Sequence, residues 1–203
     1  MRKTNGQRGF TLIELMLVIG IIGAIAAIAI PNFIKYQARS RRSEAFTNLA
    51  AMARSQKAFQ AERNYFHDSV LASGINSDVP DIANYGGAWG TMKMPWDGDA
   101  QSAFDVLGWA PEGQVAYSYA SYASSTTAMG GPNCNICPLC FTGAAYGDVD
   151  GNGQPQIILY VHPDEVGGGL AWCNEGIWGE PPAIDSDGNP IFDAVAARSN
   201  SDY

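Results

Sequence analysis

Residues 9–31 read GFTLIELMLVIGIIGAIAAIAIP, and the reading of this stretch decides the architecture of the 203-residue chain. From Phe10 to Ile30 there are 21 residues and one charge, Glu14. A helix of about 20 apolar residues crosses a hydrocarbon core of about 30 Å, so the stretch predicts a membrane-spanning helix. Arg2, Lys3 and Arg8 precede it without an acid, and the next base is Lys35. That placement leaves the N-terminus in the cytoplasm and exports the rest, although the bases from Lys35 to Arg42 reduce the contrast. A secretory signal would have a shorter apolar region followed by a small-residue cleavage site. Here the apolar run is too long, and the small residue, Gly9, comes before it. Glu14 needs an explanation of its own, because a carboxylate in hydrocarbon is expensive and such residues usually mark function.

The helical pattern continues beyond the apolar run. Ala38, Ala45, Leu49, Met52 and Phe59 recur at three- and four-residue spacings between Lys35 and Arg63, with Arg42 and Gln56 interrupting the stripe. Pro31 is the one breaker, predicted to kink or loosen the helix. Gly20 and Gly23 lower helix propensity upstream of it. The expectation is one helix from Phe10 to about Arg63, about 80 Å long at about 1.5 Å per residue. A domain of this size cannot bury such a helix, so its first half belongs in lipid or against other copies.

Residues 64–101 are rich in Gly, Asp and Pro and read as a connection pinned by Tyr85, Trp89 and Trp96. FDVLGWAPEGQVAYSYASY, residues 104–122, reads as strand, turn and strand, with Tyr117 and Tyr119 on one face. QIILYVH, residues 156–162, is the clearest strand, and Ala144–Tyr146 is positioned to pair with it across DVDGNG. The tail from Gly167 reads as an ordered loop. The fold class is α+β: a long N-terminal helix on a small antiparallel sheet.

Charge is distributed unevenly. Residues 35–63 carry seven bases against Glu44 and Glu62, whereas residues 64–203 carry only Lys93 and Arg198 against 17 acids. An acidic head of this kind argues against binding nucleic acid through phosphate contacts. No nucleophile elbow, P-loop or dinucleotide fingerprint occurs. His67 and His162, the only histidines, sit in no metal or triad motif. Catalysis is therefore not expected.

Cys134, Cys137 and Cys140 form C-x2-C-x2-C, and Cys173 stands apart. In a reducing compartment this spacing suggests zinc or an iron–sulfur cluster. Outside the membrane it suggests disulfides, and four cysteines allow three pairings. Asp148, Asp150 and Asn152, with the carbonyl near Gln154, match the first half of a calcium loop. The acid expected at its twelfth position is replaced by Leu159. The alternative is an Asp-Gly turn closing a hairpin. Asp185, Asp187 and Asn189, with Asp193, are a weaker copy.

RGFTLIELMLVIGIIGAIAAIAIPNF closely resembles the N-terminus of type IV prepilins. KYQARSRRSEAFTNLAAMARSQKAFQAERNYF, LGWAPEGQVAYSY and CPLCFTGAAYGDVDG resemble major pilins of myxobacteria and related deltaproteobacteria. The resemblance implies that residues 1–9 are a leader, 10–31 an apolar half-helix and 32–203 a head with a loop-rich, disulfide-fastened C-terminal region. It implies cleavage by a prepilin peptidase between Gly9 and Phe10, and N-methylation of Phe10. Glu14 would meet the new ammonium of a neighbouring subunit during assembly. Among the cysteines, it favours Cys173 bonded to one member of the cluster, with the other two closing a small loop. The implied partners are other copies in a helical homopolymer, the pilus assembly machinery with its inner-membrane platform, and the inner membrane before assembly. The pilus would then stand on the cell surface and serve twitching motility, adhesion and cell–cell contact. No cofactor is required beyond possible Ca2+. Arg41 and Arg42, with Arg39 and Arg54, form a basic stem face suited to acidic heads of adjacent subunits, and Pro31 belongs to the same assembly region. A minor pilin or a type II secretion pseudopilin shares the N-terminal segment. A pilus-associated adhesin or DNA-uptake binding protein is the alternative from another class.

Overall fold

A computed structural model describes residues 9–69, 92–96, 98–123, 137–149, 151, 156–173 and 182–198. The chain divides into two compact units, Met1–Arg39 and Ser40–Tyr203. Helix α1, Leu12–Arg63, belongs to both and is helical through Pro31 without interruption. It ends where Asn64 adopts a left-handed conformation, φ 62°, with its N–H donating to Gln60 O at 2.7 Å. Asparagine tolerates that conformation better than most residues and so closes helices as glycine does.

In the first unit, every large apolar side chain from Phe10 to Tyr36 is exposed. Among the described residues, α1 is the one helix long and apolar enough to cross a membrane.

The second unit is built on a four-stranded antiparallel sheet ordered β1-β2-β3-β6. Its strands are β1 (Ser118–Ala123), β2 (Phe141–Gly147), β3 (Gln156–His162) and β6 (Val195–Ala197). A short hairpin of β4 (Asp164–Val166) and β5 (Gly169–Ala171) follows β3. The expected pairing across DVDGNG is present, with Ala144 opposite Leu159 and Tyr146 opposite Ile157.

Strand alternation gives the sheet two buried faces. One face meets α1 through Leu49 and Met52. A Cβ on Gly143 would lie 2.6 Å from Met52 Cε and 3.1 Å from Leu49 Cδ1, so glycine lets the helix approach the sheet closely. Ala45, Leu49, Met52 and Phe59 are buried, as their spacing predicts. Gln56 is also fully buried, which corrects its reading as an interruption of the stripe. Its amide accepts from His67 N at 3.0 Å and donates to His67 O at 2.7 Å and to Ser121 Oγ at 2.6 Å. Burial of a polar amide is tolerable when its hydrogen bonds are made inside the protein. Asn48 likewise donates to Tyr119 OH at 2.9 Å. The opposite face carries Ala120, Tyr122, Ala144, Tyr146, Leu159 and Val161, packed with Cys137, Cys140 and Cys173.

Residues 104–109 differ from the expected strand. They close helix α2, Gly98–Phe104, and form a 3-10 turn at Asp105–Leu107. Gly108 completes the turn at φ 63°, a conformation that favours glycine. Aromatic packing accounts for the outcome: Trp109 sits 5.0 Å from Phe104, 5.4 Å from Trp96 and 5.5 Å from Tyr119, between ring centroids. Val115 makes only an isolated bridge to Met94, so Tyr117 precedes β1 rather than sharing a strand face with Tyr119. The tail also holds more structure than a loop, since it contributes β5 and β6. Tyr85 and Trp89 lie outside the described residues.

Candidate functional site at the start of the apolar helix

The first turn of α1 is built from Thr11 and Glu14. Thr11 is the N-cap, because α1 begins at Leu12. Its N–H and its hydroxyl both donate to Glu14 Oε2, at 2.9 and 2.6 Å. In return, Glu14 N–H donates to Thr11 Oγ1 at 3.3 Å. This reciprocal pattern is a capping box, which satisfies backbone donors that the first turn leaves open. Glu14 also lies where a negative charge meets the positive end of the helix dipole. The carboxylate is thus already engaged within its own chain. Thr11 is the residue that the sequence reasoning missed, and T-x-x-E before an apolar run is the signal that marks it.

Phe10 stands outside the helix and is 82% exposed. A Cβ added at Gly9 would touch nothing within 4 Å. Nothing described inside the chain therefore demands glycine at that position. Arg2, Lys3 and Arg8 lie outside the described residues.

Further along the first unit, Ala29, Ile30, Asn32, Phe33 and Tyr36 line an open groove of about 420 Å³ beside Pro31. Within the second unit, Arg41 and Arg42 are half-buried, and the Arg42 guanidinium lies 5.8 Å from the Phe46 ring centre. In the second unit, Glu44 is held by Lys93 at 2.6 Å and accepts from Ala116 N–H at 3.1 Å. One of the two bases in the acidic region is therefore used to hold that region to α1.

Of the four cysteines, Cys137 and Cys140 are joined in a disulfide that closes a small loop. Cys173 is also disulfide-bonded, and Cys134 lies outside the described residues. Asp148 is buried, and its Oδ1 accepts from Gly151 N–H at 2.8 Å. Asp150, Asn152 and Gln154 lie outside the described residues. In the second Asp-Gly segment, Asp185 Oδ1 accepts from the N–H groups of Asp187 and Asn189, each at 2.9 Å. The Asn189 N–H is the main cause holding the Asp185 carboxyl below the usual range.

Asp193 joins α1 to the sheet. Its Oδ1 accepts from Lys57 Nζ at 2.9 Å, Tyr160 OH at 2.9 Å and His162 Nδ1 at 2.7 Å. Burial raises the Asp193 pKa, but the hydrogen bonds from Lys57, His162 and Tyr160 outweigh it and hold the carboxyl below its ordinary value. His162 packs edge-on against Phe66, with centroids 5.4 Å apart, while His67 Nε2 lies 2.7 Å from Ala103 O. Both histidines thus serve internal contacts.

Residues 4–30 match the family described as the prokaryotic N-terminal methylation motif. The type IV major pilin protein PilA of Myxococcus xanthus is 64% identical over 69 residues, which is 34% of this chain and 31% of that protein. The type IV major pilin protein PilE1 of Neisseria gonorrhoeae is 40% identical over 80 residues, 37% of this chain and 46% of that protein. The type II secretion system core protein G of Escherichia coli is 28% identical over 131 residues, 57% of this chain and 89% of that protein. The matches to the two major pilins thus span less than half of those proteins' length. With its long N-terminal helix, antiparallel sheet and disulfide, the chain has a pilin-like architecture, carries the N-terminal methylation motif and resembles type IV major pilins over about a third of its length.

Proposed function

We propose that the chain is a structural subunit of a type IV pilus. Its precursor sits in the bacterial inner membrane through residues 10–31, is cut between Gly9 and Phe10 by a prepilin peptidase and is methylated at Phe10. The assembly machinery, through its inner-membrane platform, then moves it into a helical filament of identical copies. One observation carries this reading: from Phe10 to Tyr36 every large apolar side chain is exposed, while one carboxylate, Glu14, stands at the head of the stretch. Lipid covers such a surface in the precursor, and neighbouring helices cover it in a filament. Exchanging one for the other leaves a modest net driving force, because lipid tails are as apolar as the side chains.

The cut explains both Gly9 and Glu14. Among the described residues Gly9 meets nothing, and its small size suits a group that approaches from outside, the peptidase. Cleavage creates an ammonium at Phe10. Thr11 keeps Glu14 hydrogen-bonded until a neighbour's ammonium arrives, and the ion pair then sets the axial register between subunits. The filament serves twitching motility, adhesion and cell–cell contact.

Shearing filaments from intact cells and identifying their bulk subunit tests this. This chain should be the main component. Its absence from sheared filaments, with a secretion defect on deletion, would instead establish the second reading, a type II secretion pseudopilin. That reading is supported by the match over 89% of core protein G.

A further inference from the structure

The β4–β5 hairpin follows β3 with one residue, Pro163, between them. Its turn is Gly167-Gly168, both left-handed at φ 64° and 86°, as a tight two-residue hairpin turn requires. At its base the Asp164 carboxylate accepts from Leu139 N–H at 2.9 Å, which ties the hairpin to the turn before β2. Glu165 stands directly opposite Leu170, so the two side chains share one face of the hairpin. Both are exposed, Leu170 by 51%. Val166 points to the other face and is exposed as well. The hairpin thus holds an apolar side chain beside a carboxylate in a fixed place and buries neither. Residues 152–197 contain seven acids and no Lys or Arg, so the complement of this face is basic.

The first unit offers such a complement. Ala29, Ile30, Asn32, Phe33 and Tyr36 line the open groove beside Pro31, and Phe33 and Tyr36 are exposed. Lys35 lies three residues after Asn32, and Arg39 lies three after Tyr36 and four after Lys35. Residues at those spacings are neighbours on a helix surface, so the two bases form a row along the groove. Both are exposed, and the Arg39 guanidinium lies 6.0 Å from the Tyr36 ring centre. Among the described residues, neither Lys35 nor Glu165 takes part in an ion pair.

We propose that the β4–β5 hairpin of one copy docks on this groove of a neighbouring copy, with Leu170 against Phe33 and Tyr36 and Glu165 meeting Lys35. The contact rests on the filament reading above and assigns two of the surfaces that meet there. Burying Leu170 against the rings removes apolar surface from water, and the charge pair fixes the register of the two copies. Ile184 is also exposed beside acids, but the adjacent Asp185 Oδ1 already accepts from the N–H groups of Asp187 and Asn189. Glu165 has no such commitment, which favours the hairpin over that loop.

The test uses sheared filaments of the full chain, treated with a water-soluble carbodiimide that joins a carboxylate to an amine in direct contact. A Lys35–Glu165 cross-linked peptide should come from the dimer band, and not from the monomer solubilised in detergent. Filaments that yield dimers without that peptide, or a monomer that yields it too, overturn the proposal. Charge exchange gives a second readout. Glu165→Lys and Lys35→Glu should each lower the yield of sheared pili several-fold, and the two together should restore it. Asp187→Lys, an equal change of charge on another exposed acid, should leave the yield unchanged. No rescue in the double variant, or an equal loss with Asp187→Lys, counts against the contact. If a single variant does not fold in detergent, the cross-link in unmodified filaments decides. Absence of the chain from sheared filaments would instead sink the subunit reading, and the hairpin contact with it. Filaments of this chain without the cross-link sink the contact alone.

Discussion

At the scale of single residues, Glu14 illustrates how a costly charge is managed in two stages. In the isolated chain Thr11 supplies its partners, and the helix start supplies a favourable field. In the filament the proposed partner is an ammonium that exists only after cleavage. Glu14→Ala should therefore insert into the membrane and be cleaved normally, yet build no surface pili. Immunoblots of cell and sheared fractions read both steps, and normal piliation would refute the role. The charge at Glu14 was legible in the sequence because it interrupts an apolar run. Thr11 was overlooked because a threonine beside that run looks like one more tolerated residue. Its role appears only when the three-residue spacing to Glu14 is read as a cap.

Asp193 shows the opposite limit of legibility. It was visible only as an extra oxygen near DSDGN, yet it binds Lys57, Tyr160 and His162, 136, 33 and 31 residues away in sequence. Such a meeting depends on β6 pairing beside β3, which no local pattern announces. Its folded-state pKa lies below the ordinary carboxylate value. The stability it contributes is therefore fully present above the unfolded carboxylate pKa, near 4, and is lost as pH falls through the lower folded value. Asp193 is partly exposed, so the effect is screened. Asp193→Asn should flatten the acid limb of a Tm-against-pH curve below about pH 4. An unchanged acid limb would show that the cluster contributes nothing to the head's acid stability.

At the scale of elements, α1 and the β2–β3 pair were readable because both carry long, regular patterns. A 52-residue helix repeats its apolar positions many times, so the burial of Gln56 does not blur it. The segment 104–109 was misread because its apolar residues do not alternate far enough to distinguish a strand from a turn held by tryptophan contacts. β4, β5 and β6 have three residues each, too few to show a period. Close packing between elements yields a graded prediction. A Cβ on Gly147 would lie 2.9 Å from the backbone oxygen of Ala116, which cannot easily move. The Cβ on Gly143 would mainly meet the flexible end of Met52. Gly147→Ala should then cost about 1–3 kcal/mol, and Gly143→Ala less, in urea unfolding of the detergent-solubilised chain. The reverse order would contradict this account of the helix–sheet contact.

At the scale of the whole molecule, charge is the main feature to explain. The amphipathic half of α1 is basic, and the region after it carries most of the acids. Among the described residues, Lys93 with Glu44 and Lys57 with Asp193 pair the two regions within one chain. We propose that the basic stem face also meets acidic heads of neighbouring copies. Reversing Arg41 and Arg42 to glutamate should lower pilus yield and shear resistance while the solubilised subunit still folds. Unchanged yield and shear resistance would remove the stem face from the assembly account.

The most direct test of that account is the intact mass and N-terminal sequence of the subunit in surface-sheared filaments. The account predicts a chain that begins at Phe10, lacks residues 1–9 and carries one methyl group on its new amino terminus. A chain that retains Met1, in a membrane protein never recovered from filaments, would contradict it.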